Sequence, residues 1–158
     1  MRRALPALLA AALIGFAPAA LAETTTYSNA RYGTTVSFPA DIFSTALEPP
    51  DNGDGQTFVA RDGASLSIFA SANPDASTPR QLLDEAASNA GADVRITYRK
   101  HGRNWAVLSG FKGGDIFYQR FELGTEDVVH SVLITYPAAL KAEYDPLVGR
   151  IASSLTGP

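Results

Sequence analysis

Apolar and polar residues alternate with a period of two through much of the second half of the chain. Val94, Ile96 and Tyr98 alternate with Arg95, Thr97 and Arg99, and Phe117, Phe121 and Leu123 alternate with Tyr118, Arg120 and Glu122. That period places successive side chains on opposite sides of a pleated strand, so Val94–Lys100 and Ile116–Leu123 are predicted to be half-buried strands. Trp105–Gly110 is apolar at both parities, as a central strand is. Val128–Thr135 supplies a fourth strand. Gly102 with Asn104, Lys112-Gly113-Gly114 and Gly124–Asp127 lie between the four. Connections this short imply antiparallel pairing in meander order. Upstream, Thr34–Phe38, Gln56–Arg61 and Ala64–Ser71 read as three more strands. Asp62-Gly63 is the strongest hairpin signal in the chain. Glu23–Ala30 reads as loose polar chain, "PADIFS" as one helical turn and "LEPPDNGDGQ" as a loop.

Two segments change to helical spacing. Thr78 is placed to cap a helix that has Pro79 at its first position and Gln81 completing a capping box. Leu82, Leu83, Ala86, Ala87 and Ala90 form its apolar face, and Gly91 ends it. After Pro137, "AALKAEY" reads as a short helix. Asp145 and Pro146 then read as the cap and first position of a second start, with Val148, Ile151, Ala152 and Leu155 on one face. The expected fold class is α+β: an antiparallel sheet of about six to seven strands with two helices packed on one face.

The amino terminus sets the expected location. Arg2 and Arg3 precede an almost wholly apolar run, Leu5 to Phe16, and Ala20-Leu21-Ala22 has the small-x-small form that signal peptidase accepts. Residues 1–22 therefore read as a secretory signal peptide and residues 23–158 as a single α+β domain, periplasmic or secreted. No later stretch is long and apolar enough to span a bilayer, so no transmembrane segment is expected after cleavage. The chain has no cysteine, which excludes a lipoprotein anchor, a disulfide framework and thiol chemistry.

The whole chain carries a net charge of −3 at pH 7, and its acidic balance argues against nucleic acid as a partner. The charge is unevenly spread. Between Asp93 and Leu123 lie Arg95, Arg99, Lys100, Arg103, Lys112 and Arg120, against Asp93, Asp115 and Glu122. A local basic excess on an acidic protein steers anionic ligands.

Catalytic signals are sparse. A hydrolytic nucleophile needs a base within reach, and the only histidines are His101 and His130. Ser109 in "VLSGF" lacks the first glycine of the nucleophile elbow. Two histidines this far apart have no metal-ligand spacing, and "DNGDG" lacks the alternating oxygens of a calcium loop, so no metal and no cofactor is expected. The glycines of "NWAVLSGFKGGDIFYQR" are turn residues and do not form a phosphate cradle.

The order strand, hairpin, helix, four-strand meander and terminal helix resembles the PsbP-like fold. That fold is shared by an extrinsic photosystem subunit, a Ran-binding nuclear import factor and many bacterial exported proteins. The phrases "RYGTTVSFPADIF", "NGDGQTF", "NWAVLSGFKGGDIFYQR" and "ITYPAALKAEYDPLVGRIASSL" are similar to an uncharacterised group of exported proteobacterial proteins. The resemblance implies macromolecular binding without catalysis, and it carries no catalytic or metal motif onto these positions.

The expected binding surface is the sheet face that the helices leave bare. If Val94, Ile96 and Tyr98 enter the core, Arg95 and Arg99 point away. If Phe117 and Phe121 enter it, Tyr118 and Arg120 point away; Trp105 is a further candidate whose face this reading leaves open. Arginine and aromatic residues are favoured at interfaces because they combine flat apolar area with directional donors. The plain alternative is a solvated face laced with Arg–Glu pairs. The function expected is a non-catalytic exported binding or protein-interaction module of the cell envelope, meeting an envelope protein or an anionic ligand. The alternative is a small periplasmic hydrolase using Ser109 with His101 or His130.

Overall fold

The computed structural model describes residues 23–158; the segment read as a signal peptide lies outside the described residues. Among the described residues the strands are β1 (Thr24–Ser28), β2 (Thr35–Pro39), β3 (Thr45–Ala46), β4 (Gly55–Val59), β5 (Ser65–Ala72), β6 (Val94–His101), β7 (Trp105–Lys112), β8 (Asp115–Leu123) and β9 (Val128–Pro137). Helix α1 (Pro79–Ser88) joins β5 to β6, and α2 (Lys141–Ser153) follows β9 through a 3-10 turn at Ala138–Leu140. No helix among them is long and apolar enough to cross a membrane.

Seven strands form one sheet in the order β3-β4-β5-β9-β8-β7-β6, and β1 and β2 form a separate ribbon. Every pairing is antiparallel. The meander from β6 to β9 and the Asp62-Gly63 hairpin are as expected, Gly63 taking a φ of +93° that favours glycine. The capping box at Thr78 and Gln81 is formed, and α1 ends at Ser88, with Asn89 as C-cap.

The sheet separates two apolar cores. On one side Leu66, Ile68, Ile116, Val132 and Ile134 meet Tyr144, Val148 and Ile151 of α2 and Val36 and Phe38 of β2. On the other, Ala106, Leu108, Phe117, Phe121 and Val129 meet Leu83 of α1. Ile116 and Phe117 are sequence neighbours and enter different cores. The α+β class stands, but the two helices cover opposite faces and do not share one. The reason lies in the central strands: β7 is apolar at both parities, β8 buries Ile116 on one face and Phe117 on the other, and one layer of helices cannot dry both sides of a sheet.

Three local expectations also change. The segment expected to be loose contains β1, a threonine-rich strand whose Thr26 hydroxyl is 2.7 Å from that of Ser37 across the ribbon. Threonine is a strand former even where no apolar alternation marks it. The strand predicted at Thr34–Phe38 is present as β2, Thr35–Pro39, but it pairs with β1 outside the main sheet. Finally, α2 is continuous from Lys141, so Asp145 does not cap a second start and Pro146 sits inside the helix. Packing of Tyr144, Val148 and Ile151 against the sheet holds the helix together although Pro146 removes one backbone donor.

Candidate functional site

The site is shaped by one irregularity in β6. Ile96 pairs with Gly110 and Tyr98 with Ser109, so Thr97 is the extra residue of a β-bulge. Gly110 makes room for it: a Cβ there would lie 2.2 Å from the Arg95 carbonyl oxygen. Beyond the bulge the parity of β6 reverses. Arg95 lies with its guanidinium 4.5 Å over the Phe111 ring, and Phe111 packs on the α2 core. Tyr98 follows on that same side. Arg99 falls on the opposite side, where its guanidinium donates to Asp84 of α1.

The expected surface is therefore split. Arg95, Trp105, Tyr118 and Arg120 share the α2 side of the sheet, and Arg99 does not. The alternation that placed Arg95 and Arg99 together is interrupted by the inserted residue, which moves everything after it to the other face. The same shift takes Tyr98, assigned by alternation to the core, and leaves it 48 % exposed. Gly110 was the available signal, because an isolated glycine within a strand often marks a bulge.

On this side Arg120 stands 5.1 Å over the Trp105 ring, and its Nη2 donates to Glu122 Oε2 at 2.9 Å. Val107, cross-strand from Lys100 and Arg120, is buried beneath this layer. Toward α2 the face deepens into a groove of about 400 Å³, with Thr97, Ser109 and Tyr118 from the sheet and Lys141, Asp145 and Gly149 from the helix among its walls. The Tyr136 hydroxyl donates to Asp145 Oδ1 at 3.0 Å, and Lys141 donates to the other carboxylate oxygen. The Lys141 ammonium, against some burial, holds the Asp145 carboxyl below its usual range. Burial, and then the Asp145 carboxylate, push the Tyr136 phenol upward. Burial also raises Tyr118, with Arg120 opposing. At neutral pH the acid here is thus ionised and these phenols are neutral. The arrangement offers donors, flat rings and cations at one face.

The residues of the hydrolase alternative are not brought together. Ser109 Oγ donates to the Phe117 carbonyl at 2.7 Å. Ser109 is cross-strand from Tyr98 and Tyr118, His101 from Ala106, and His130 from Glu122 and Ala70. His130 is 1 % exposed, its Nδ1 lying 2.7 Å from Thr34 Oγ1. Its Nε2 has no partner in hydrogen-bonding geometry. Burial pushes the imidazole pKa down, and the Pro158 carbonyl and Glu122 only partly oppose this. In the Asp51–Gly55 loop, Asn52 donates to Asp54 at 2.7 Å and Arg31 donates to the Asn52 carbonyl at 2.6 Å. No group of three or more His, Cys, Asp or Glu that could hold a metal ion occurs among the described residues.

The sequence matches no protein-family profile, and no curated protein is similar to it. Solved structures are similar in backbone. Cyanobacterial PsbP (CyanoP) from Synechocystis sp. PCC 6803 superposes with a TM-score of 0.65 at 13% identity, over 92% of this chain and 99% of that one. The fold is PsbP-like. The Saccharomyces cerevisiae Ran-binding protein Mog1p follows with a TM-score of 0.59 at 12% identity, over 86% and 96% of the two chains. A point mutant of protein Mog1 has a TM-score of 0.57 at 13% identity, over 85% and 95%. Likeness at such identities concerns the fold.

Proposed function

We propose that this protein is a non-catalytic, exported binding module of the cell envelope, and that its contact surface is the open part of the α2 side of the sheet. The observation that carries the reading is the gathering, on one side of the sheet, of Arg95, Tyr98, Trp105, Tyr118 and Arg120, with Tyr118 also lining the groove beside α2. Here guanidinium groups stand over rings at the solvent boundary, Arg95 over Phe111 and Arg120 over Trp105, the composition of interface anchors. A protein with this fold, Mog1p, is Ran-binding, so the fold is compatible with docking a macromolecule. Export rests on the reading of residues 1–22, and the partner is an envelope protein or an anionic ligand.

The test uses the split of the arginines between faces. In crosslinking from the native envelope, Arg95→Ala with Arg120→Ala is expected to lose the partner that the wild type captures. Arg99→Ala, on the other face, is expected to keep it. Equal capture by the double variant and the wild type would sink the surface. Sequencing the amino terminus of the exported protein is expected to find Glu23 first; a retained residue 1 would overturn cleavage after Ala22.

A further inference from the structure

Strand β6 ends the main sheet and has one neighbour, β7. An edge strand turns half its backbone N–H and C=O groups away from that neighbour, where they can pair with another extended chain. The edge is open, since six of the eight residues of β6 are exposed. It is also charged. Arg95, Arg99 and Lys100 lie within it and no acid does. Pairing with a second copy of β6 would set these cations against the same cations, and like charges directly across a ladder destabilise it. The edge thus refuses itself but presents a definite pattern to anything else.

The bulge makes that pattern regular on the α2 side. Arg95, Tyr98 and Lys100 are cross-strand from Phe111, Ser109 and Val107, three residues of one parity in β7. The side chains on this flank therefore read cation, aromatic, cation at successive strand spacings. Arg99, by contrast, is committed to Asp84 on the far side.

We propose that β6 accepts an extended acidic segment of a partner protein as an added strand, with acid, apolar and acid at alternate positions facing Arg95, Tyr98 and Lys100. The inference deepens the function proposed above, on which it rests: it names the chemistry of the partner and extends the contact surface over the sheet edge. Backbone pairing supplies the affinity and the alternate side chains supply the choice of partner.

The probe is a capped threonine-based peptide with two glutamates flanking a valine at alternate positions, followed by fluorescence polarisation on the mature chain. The peptide is expected to bind, and to weaken as salt is raised. The analogue with lysine in place of both glutamates is expected not to bind. Methylating alternate backbone nitrogens, which removes ladder donors and leaves side chains intact, is expected to abolish binding. The variant Arg95→Glu with Lys100→Glu is expected to bind about tenfold more weakly, since two favourable cross-strand pairs become unfavourable. If the methylated peptide binds as tightly as its parent, edge pairing is overturned, while the face reading survives provided that binding still depends on Arg120. Equal binding of the acidic and basic peptides overturns the charge pattern. A dimer of the free chain that the peptide dissociates would put a second copy on the edge and overturn the proposal.

Discussion

The α2 side of the main sheet is divided between two kinds of aromatic surface. Near β5 and β9, Tyr136 and Tyr144 stack with ring centroids 5.1 Å apart, and Phe43 and Phe38 meet edge to face at 6.3 Å. All four are buried in one core, where Tyr144 of α2 and Phe38 of β2 close over the sheet. The Tyr144 hydroxyl is satisfied by Asp62 at 2.7 Å. Toward β6, Tyr98 and Trp105 occupy the same side of the same sheet away from that core, cations stand against Trp105 and Phe111, and Tyr118 lies at the boundary, packed against the α2 core. Both halves are built from alternating strands. What separates them is cover: α2 packs on β8 and β9, whereas the outer strand β6 is exposed along most of its length. Aromatic residues with a helix above them stabilise the fold; those without one remain available to a partner.

Substitutions break this comparison in a defined order. Ile134, fully buried in the covered half, is expected to cost about 2–5 kcal/mol when replaced by alanine, read as a lower urea midpoint at unchanged slope. If Tyr98→Ala costs as much, the division into covered and open halves fails. Gly110→Ala tests the feature that places Tyr98 in the open half. Its new methyl group would meet the β6 backbone, so we expect a loss of about 1–3 kcal/mol together with lost partner capture. A Gly110→Ala variant as stable as wild type would mean that the bulge does not depend on the glycine.

The covered half also contains a pH-sensitive element. His130 is buried beside Thr34 with a depressed pKa, so the unfolded chain binds its proton more readily than the folded one. Its contribution to stability is complete above the unfolded value of about 6.5, and falls as pH drops below that toward the folded value. The expected slope is up to about 1.4 kcal/mol per pH unit for one proton, measured as urea stability from neutral to acidic pH. His130→Gln, which removes the titrating group, is expected to flatten that segment of the curve; an unchanged slope would assign it to other groups. Smallest of all are the open-half and α1-side surface changes. Tyr98→Ala is expected to shift stability by roughly 0.5 kcal/mol or less, and Arg99→Ala, which loses an exposed ion pair, by about 0.2–1 kcal/mol.

Much of the architecture was legible because local rules and tertiary packing agreed. Period-two alternation marked β6 and β8, an apolar run marked β7, the short turns between them gave the meander, Asp62-Gly63 found the hairpin, and Thr78 with Gln81 found the start of α1. The candidate surface was legible only in part. Tyr118 and Arg120 lie in regular pairing, where parity alone predicts the face; Trp105 lies in a strand apolar at both parities, and the fold decided its face. Arg99 and Tyr98 lie beyond a one-residue insertion, and parity carried past a bulge gives the wrong face for every residue after it.

Local patterning was enough to specify the class of the protein: an antiparallel meander, two helices and a concentration of arginine and aromatic residues between positions 93 and 123. These follow from periodicity, capping and turn chemistry, which act over a few residues. The assembled fold was needed to show that the helices take opposite faces, that β1 pairs with β2 outside the sheet, and that Arg95 and Arg99 part company. Those outcomes depend on which layer lands on which strand and on where the backbone of β6 presses against Gly110. Contacts of that kind join residues distant in the chain, and no short-range pattern encodes them.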